Sequence, residues 1–214
     1  MFKRTLLMVT LGLLALVMVA CGGTNDGGET AAIVNEEVIT VADVDQQVDN
    51  TIAMYAQDGI DVNEQGDEFV EMIKQQTLDG LITEVLLVKA AQDYTVSEEE
   101  VTEEYEAIKA GFETEEQFNE VLAANNFTEE SLKENLEQQL KIDQFFLANI
   151  NEVTATEEEL QELFEQYSEM VEEELEFEEV KVALEQEVVQ QKQDEEMGRI
   201  IQELKEQAEI EILI

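Results

Sequence analysis

The side chains in this chain that could do chemistry are almost all carboxylates: 53 Asp and Glu against 11 Lys and Arg, with no His and one Cys in 214 residues. Paired carboxylates could serve as general acid and base, provided one of them sits in a cleft that shifts its pKa. Runs such as Glu98-Glu99-Glu100 and Glu172-Glu173-Glu174 are alike in this respect, and nothing in the sequence singles one residue out. They read as solvated helix faces, and no catalytic residue is assigned. The stretch Asp61 to Met72 comes near a calcium loop, with Asp61, Asn63, Gly66 and Asp67 at ligand or turn positions. Gln65 is a poor third ligand there, and Met72 stands where the bidentate Glu belongs, so the stretch reads as an acidic loop with no metal. Lacking His, the chain has no Ser-His-Asp triad and no His-ligated zinc. One Cys allows neither an intrachain disulfide nor a Cys cluster. A formal charge of −42 argues against nucleic acid, which needs a basic surface, and against electrostatic docking on anionic lipid.

The single thiol has its own context. Lys3 and Arg4 precede an apolar run from Leu6 to Ala20, the layout of a secretory leader over residues 1–20. The run is short for a membrane span, which needs about 20 apolar residues. The junction Met18-Val19-Ala20-Cys21 resembles a bacterial lipobox, in which the Cys is diacylated and becomes the new N-terminus, although Met18 stands where Leu is preferred. An ordinary leader or an uncleaved anchor is the alternative. Residues 21–30, CGGTNDGGET, hold four of the ten glycines and read as a flexible tether lifting the body off the membrane.

Acidity this high can mean disorder. Leu, Ile, Val and Phe number 55 in residues 21–214, about 28%, above the roughly 20% typical of disordered chains. A folded body with an acidic surface follows. Salt relieves its self-repulsion, with a Debye length of about 3 Å at 1 M, which points to a saline or alkaline habitat.

The hydropathy pattern predicts a mainly α fold. AAIVNEEVITV at 31–41 reads as two short strands with a turn at Asn35-Glu36. A helix then starts at Thr40 or Asp43 and runs to Gln57, with Val41, Val44, Val48, Ile52 and Tyr55 on one face. Residues 58–66 form a loop. Residues 68–94 read as one long helix, apolar almost all round from Leu81 to Val88, with Gly80 marking close packing or a kink. Ser97 with Glu100, Thr114 with Gln117 and Thr156 with Glu159 fit capping boxes. Helices read over 98–109, 115–124 and 157–173 behind these caps, and over 129–149 between them. The last helix, 177–207, has apolar ends (Phe177, Val180, Leu184, Val188; Met197, Ile200, Ile201, Leu204) around a polar waist at 190–196 that joins two packed bodies. Ile210, Ile212 and Ile214 alternate with Glu211 and Leu213 as a final strand, whose natural partner is the pair at 31–41. Residues 31–94 and 150–214 would then form a terminal body, and 95–149 a projecting helical lobe.

The order of these parts resembles a known family. IVNEEVITVADVD followed by LITEVLLVKAAQDYTVSEEEV, the middle segment ETEEQFNEVLAANNFTEESLKENLEQQLKIDQF and the ending FEEVKVALEQEVVQQKQDEEMGRIIQELKEQAEIEIL are similar to the SurA/PrsA group of extracytoplasmic chaperone-foldases. The resemblance covers nearly all of 31–214. It implies a multi-helix SurA N-terminal-like fold with a small β element made of the N-terminal hairpin and the C-terminal strand. Glu36 replaces the usual Gly of the turn, so Asn35 is expected to take the left-handed position. Family foldases carry a parvulin-type prolyl isomerase domain between the helix at 157–173 and the last helix, and its site uses histidines. Here only 172–176 link those helices, and the chain has no His.

The resemblance therefore implies a lipid-anchored chaperone on the extracytoplasmic face of the cell membrane, without the isomerase domain and without a cofactor. It would bind unfolded or nascent exported polypeptides in a groove between terminal body and lobe. Such surfaces need adaptable apolar side chains. Met54, Met72, Phe118, Phe127, Phe145 and Phe146 are the candidates; the alternative is that they form helix–helix core. A divergent prolyl isomerase and a structural adaptor lipoprotein with one folded partner are the competing functions.

Overall fold

The computed structural model describes residues 28–125, 127–170 and 176–214. The leader expected at 1–20, Cys21, the expected tether up to residue 27, residue 126, and residues 171–175, where the expected helix end at 173 and most of the expected link at 172–176 fall, lie outside the described residues. Strands β1 (Thr30–Val34) and β2 (Glu37–Thr40) lead into helices α1 (Val41–Gln57) and α2 (Asp67–Ala91), with a 3-10 turn at Val62–Gln65 between them. Then come α3 (Glu98–Lys109), α4 (Glu115–Ala124), α5 (Glu129–Asn149), α6 (Glu157–Met170), α7 (Phe177–Gln207) and strand β3 (Ile210–Ile212). The fold is mainly helical with one small antiparallel sheet, as the sequence predicts.

Strand order in that sheet is β2-β1-β3, so the C-terminal strand lies beside the first one. β1 and β2 form a hairpin with Val34 opposite Glu37, leaving Asn35 and Glu36 as a two-residue turn. Both turn residues have positive φ, 47° and 78°. That is the geometry whose twist matches the flanking strands. The expectation that Asn35 alone turns left-handed is therefore corrected: Glu36 does so too, without the glycine that makes it easy. β3 pairs antiparallel with the other side of β1, setting Ile212 opposite Ala32, Glu211 opposite Ile33 and Ile210 opposite Val34.

Local chemistry sets where the helices begin. Thr40 caps α1 reciprocally: its hydroxyl accepts from Asp43 N–H at 3.2 Å, and its own N–H donates to Asp43 Oδ2 at 2.9 Å. Ser97 with Glu100 and Thr156 with Glu159 repeat this exchange, whereas Thr114 Oγ1 accepts from Gln117 N–H alone. α1 ends because Gly59 turns left-handed at φ 78°, with its N–H donating to Ala56 O and Ile60 N–H donating to Tyr55 O. A Cβ placed on Gly80 meets nothing within 4 Å, so close packing is not what holds a glycine there.

The chain divides into two compact units. The first comprises the sheet, α1, α2 to Val85, α3 from Glu104, α4 and α5 to Leu136. Its sheet and first helix bury Ala31, Ala32, Val34, Ile39, Val44 and Val48. Its middle helices bury Tyr105, Phe118 and Leu122, with Ile108, Phe112, Phe127, Leu132 and Leu136 packed around them. The second unit comprises residues 86–103 and 137–208. It holds two apolar clusters, one at Ala91, Ile142, Phe145 and Ile200, the other at Leu160, Leu184 and Val188. α7 thus joins both clusters through its two apolar ends. At its waist Lys192 reaches the start of α6, pairing with Glu159 at 2.6 Å and donating to the Thr154 carbonyl at 2.8 Å.

Candidate functional site

Residues 41–74 carry nine carboxylates against the single cation of Lys74. In this acidic stretch the first unit exposes apolar side chains. Met54, near the end of α1, is 55% exposed, and Met72, in the second turn of α2, is 40% exposed. Met54 falls outside the stripe of Val44, Val48, Ile52 and Tyr55 that α1 turns inward. Tyr55 and Phe69 meet edge to face at 5.6 Å, pinning the end of α1 to the start of α2. The left-handed turn at Gly59 brings Ile60 back toward the helix. Ile60 then lines an open cavity of about 350 Å³ together with Ile52, Ala56, Gly59, Asp61 and Val62. Among the described lining residues Asp61 is the one that carries a charge. Exposed, unbranched methionines such as Met54 and Met72 can follow side chains of many shapes.

The four phenylalanine candidates are placed differently. Phe118 is 1% exposed and sits at the centre of the first unit's middle cluster, 5.7 Å from Tyr105 and 5.3 Å from Phe112. Phe127 packs half-buried against the same cluster. Phe145 is buried in the second unit against Tyr94 at 5.9 Å, and Phe146 packs half-buried beside it at 5.5 Å. In this conformation all four hold helices together. Phe145 and Phe146 belong to one compact unit, the other four candidates to its counterpart.

Large apolar side chains that sequence reasoning passed over are also exposed, among them Ile60, Val121, Leu147, Val182 and Ile212. For two of them a signal existed. Leu147 and Val182 each lie two positions beyond a buried or half-buried neighbour, Phe145 and Val180, and so fall off their helix's inward stripe.

Burial raises two of the carboxyls, Asp143 and, further, Glu84. Burial in the apolar stretch of α2 pushes the Glu84 carboxyl up to about 7. In the opposite sense Glu159 is drawn down to about 2 by its hydrogen bond from Lys192, then by those from Thr156. Glu84 has no metal-binding company: no group of three His, Cys, Asp or Glu able to hold a metal is found among the described residues. The near-calcium stretch forms the 3-10 turn and the opening of α2, which places Met72 on a helix. No described helix is long and apolar enough to cross a membrane.

Comparison with known proteins agrees with the fold. The family model of the SurA-like N-terminal domain matches residues 1–146. The chain belongs to this family. It is 29% identical over 182 residues to the foldase protein PrsA of Caldanaerobacter subterraneus subsp. tengcongensis, covering 80% of this chain and 54% of the relative. It is 34% identical over 169 residues to the foldase protein PrsA of Clostridium botulinum strain Okra, covering 71% of this chain and 49% of the relative. The chain thus spans about half the length of the curated relatives it matches. Fold and relatives together define a member of a chaperone and foldase family.

Proposed function

We propose that this protein is a holding chaperone for unfolded exported polypeptides, tethered outside the cytoplasm through a diacylated Cys21, and that it performs no covalent chemistry. The observation that carries the reading is the exposure of Met54, Met72 and Ile60 along an acidic stretch of the first unit, where Ile60 also lines an open hollow. Met54 and Met72 touch the client directly; Phe127 and Phe146 add their half-exposed rings; Phe118 and Phe145 hold the helices that present them. The division of 31–214 into terminal body and helical lobe belongs to the same proposal. Contacts of this kind are weak and exchange fast, which suits release of a client. The acidic surface keeps a loaded complex soluble and disfavours acidic clients at low salt.

The experiment is suppression of aggregation of an unfolded exported protein by residues 21–214. Suppression near a one-to-one ratio supports the reading. Suppression lost in Met54→Ser/Met72→Ser places the contact at these two residues.

A divergent prolyl isomerase is the second reading, favoured by the name foldase that the relatives carry. The histidines that a parvulin site needs are missing from this sequence. Catalysed isomerisation of a proline peptide, well above the uncatalysed tens of seconds, would establish it.

A further inference from the structure

The small sheet ends in an uncovered edge. Glu209 O accepts from Asn35 N–H at 2.9 Å, and Leu213 N–H donates to Ala31 O at 2.8 Å. The odd-numbered residues of this segment therefore turn their backbone polar groups to β1. Alternation along the strand turns the N–H and C=O of Ile210 and Ile212 the other way. β3 is the last strand in the order β2-β1-β3, so among the described residues no strand meets those groups.

This edge is guarded only by shortness and by acidic side chains. Edge strands are blunted by short length, charge (Lys above all), Pro or a bulge; β3 has three residues, the chain has no Pro, and no Lys or Arg follows Lys205. Ile212 shares the sheet face of its opposite number Ala32 and of Ile39, both fully buried, but is itself 56% exposed. The covered face of the sheet thus runs out into solvent at β3. Leu213, 51% exposed, follows on the opposite face. The charges that accompany them are of one sign: Glu29, Glu36, Glu37, Glu209 and Glu211 are exposed, with no cation in the strands or their turn.

We propose that β3 is a strand-addition site that takes an extended polypeptide segment in which apolar residues alternate with Lys or Arg. Main-chain hydrogen bonds to Ile210 and Ile212 supply attraction that is indifferent to sequence, as strand addition does elsewhere. The alternation Glu209-Ile210-Glu211-Ile212 selects its complement: an apolar residue beside each Ile and a cation beside each Glu. Charge decides between occupants. A second copy of this chain would bring the same acidic strand and a further −42, whereas a basic extended segment is drawn in. The inference rests on the chaperone reading and names the kind of client segment held.

The test uses a fluorescein-labelled peptide of about eight residues alternating Lys and Ile, its Glu-Ile counterpart, and the Lys-Ile peptide N-methylated on one or the other set of alternate amides. Fluorescence anisotropy against residues 21–214 should show Lys-Ile binding at least about tenfold tighter than Glu-Ile, with one methylated set abolishing it. Ile212→Pro removes the outward N–H and the Ile side chain together while leaving the bond of Glu209 to Asn35 and that of Leu213 to β1, which an edge strand tolerates, and should weaken binding by about tenfold or more. Equal binding by both methylated peptides, or by a folded Ile212→Pro variant, overturns the site. Self-association that Ile212→Pro abolishes assigns the edge to a second copy and also overturns it. Aggregation suppression is read in parallel. Suppression by wild type and Ile212→Pro alike, with no Lys-Ile binding, removes the edge site and leaves the chaperone; Lys-Ile binding without any suppression removes the chaperone and leaves the edge site.

Discussion

Asn35 and Glu209, separated by 174 positions, exchange two hydrogen bonds: Asn35 N–H donates to Glu209 O, and Glu209 N–H donates to Asn35 Oδ1, each at 2.9 Å. This clasp fastens β3 to the hairpin turn. Asn35 serves it twice, since its φ of 47° suits Asn better than most side chains and its carboxamide supplies the acceptor. Asn35→Ala loses both and should cost about 1–2 kcal/mol, read in urea unfolding. Asn35→Gly keeps the turn and loses only the acceptor, so it should cost less.

Glu36 holds a φ of 78° with no such excuse. Its left-handed backbone costs roughly 1–2 kcal/mol, of which the looser unfolded chain of a glycine variant cancels about 0.5–1. Glu36→Gly should therefore raise the urea midpoint with an unchanged slope. An unchanged or lowered midpoint would mean that the side chain makes a compensating contact.

Gly80 sits inside α2 where a Cβ would meet open space. Nothing offsets its helix penalty, so Gly80→Ala should stabilise by about 1 kcal/mol. A thermal melt of the two proteins checks this.

Glu84 sets a pH dependence whose sign can be worked out. Its carboxyl titrates at about 7 when folded, against 4.5 as the ordinary value. Between those values the folded state holds a proton that the unfolded state has lost, so this group's contribution to stability falls as pH rises through that window. Above it the charge is buried at a cost. Glu84→Gln should stabilise relative to wild type at pH 8, and the gain should vanish by pH 4.5. Comparing the two melting temperatures across this range cancels the contribution of the other carboxylates. A gain that persists at pH 4.5 would show that the amide helps by packing.

Much of the fold was legible because each helix announces its own start. The hydroxyls of Ser97, Thr114 and Thr156 accept from the backbone three residues on, and the helices begin where those residues stand. The stripe Val44-Val48 and the alternation at 210–212 are equally local signals. The pairing of β3 with β1 followed from elimination, since a lone strand needs a partner. The 3-10 turn at Val62–Gln65 has no such marker. The candidate surface was less legible for a physical reason. Phe118 is buried by the packing of Tyr105 and Phe112, partners that the periodicity of its own helix does not encode, whereas Met54 is exposed because it lies off the inward stripe of α1. Glu84 escaped notice because its carboxylate is one among 53 until α2 is packed.

The central claim is that this acidic helical body holds unfolded chains on exposed apolar surface. The most direct measurement is light scattering of an unfolded exported protein diluted into residues 21–214, at about 0.1 M and about 1 M salt. The account predicts that scattering falls near a one-to-one ratio at both concentrations and returns when Met54 and Met72 are changed to Ser. Scattering unchanged by an excess of the folded wild-type protein at either salt would contradict it.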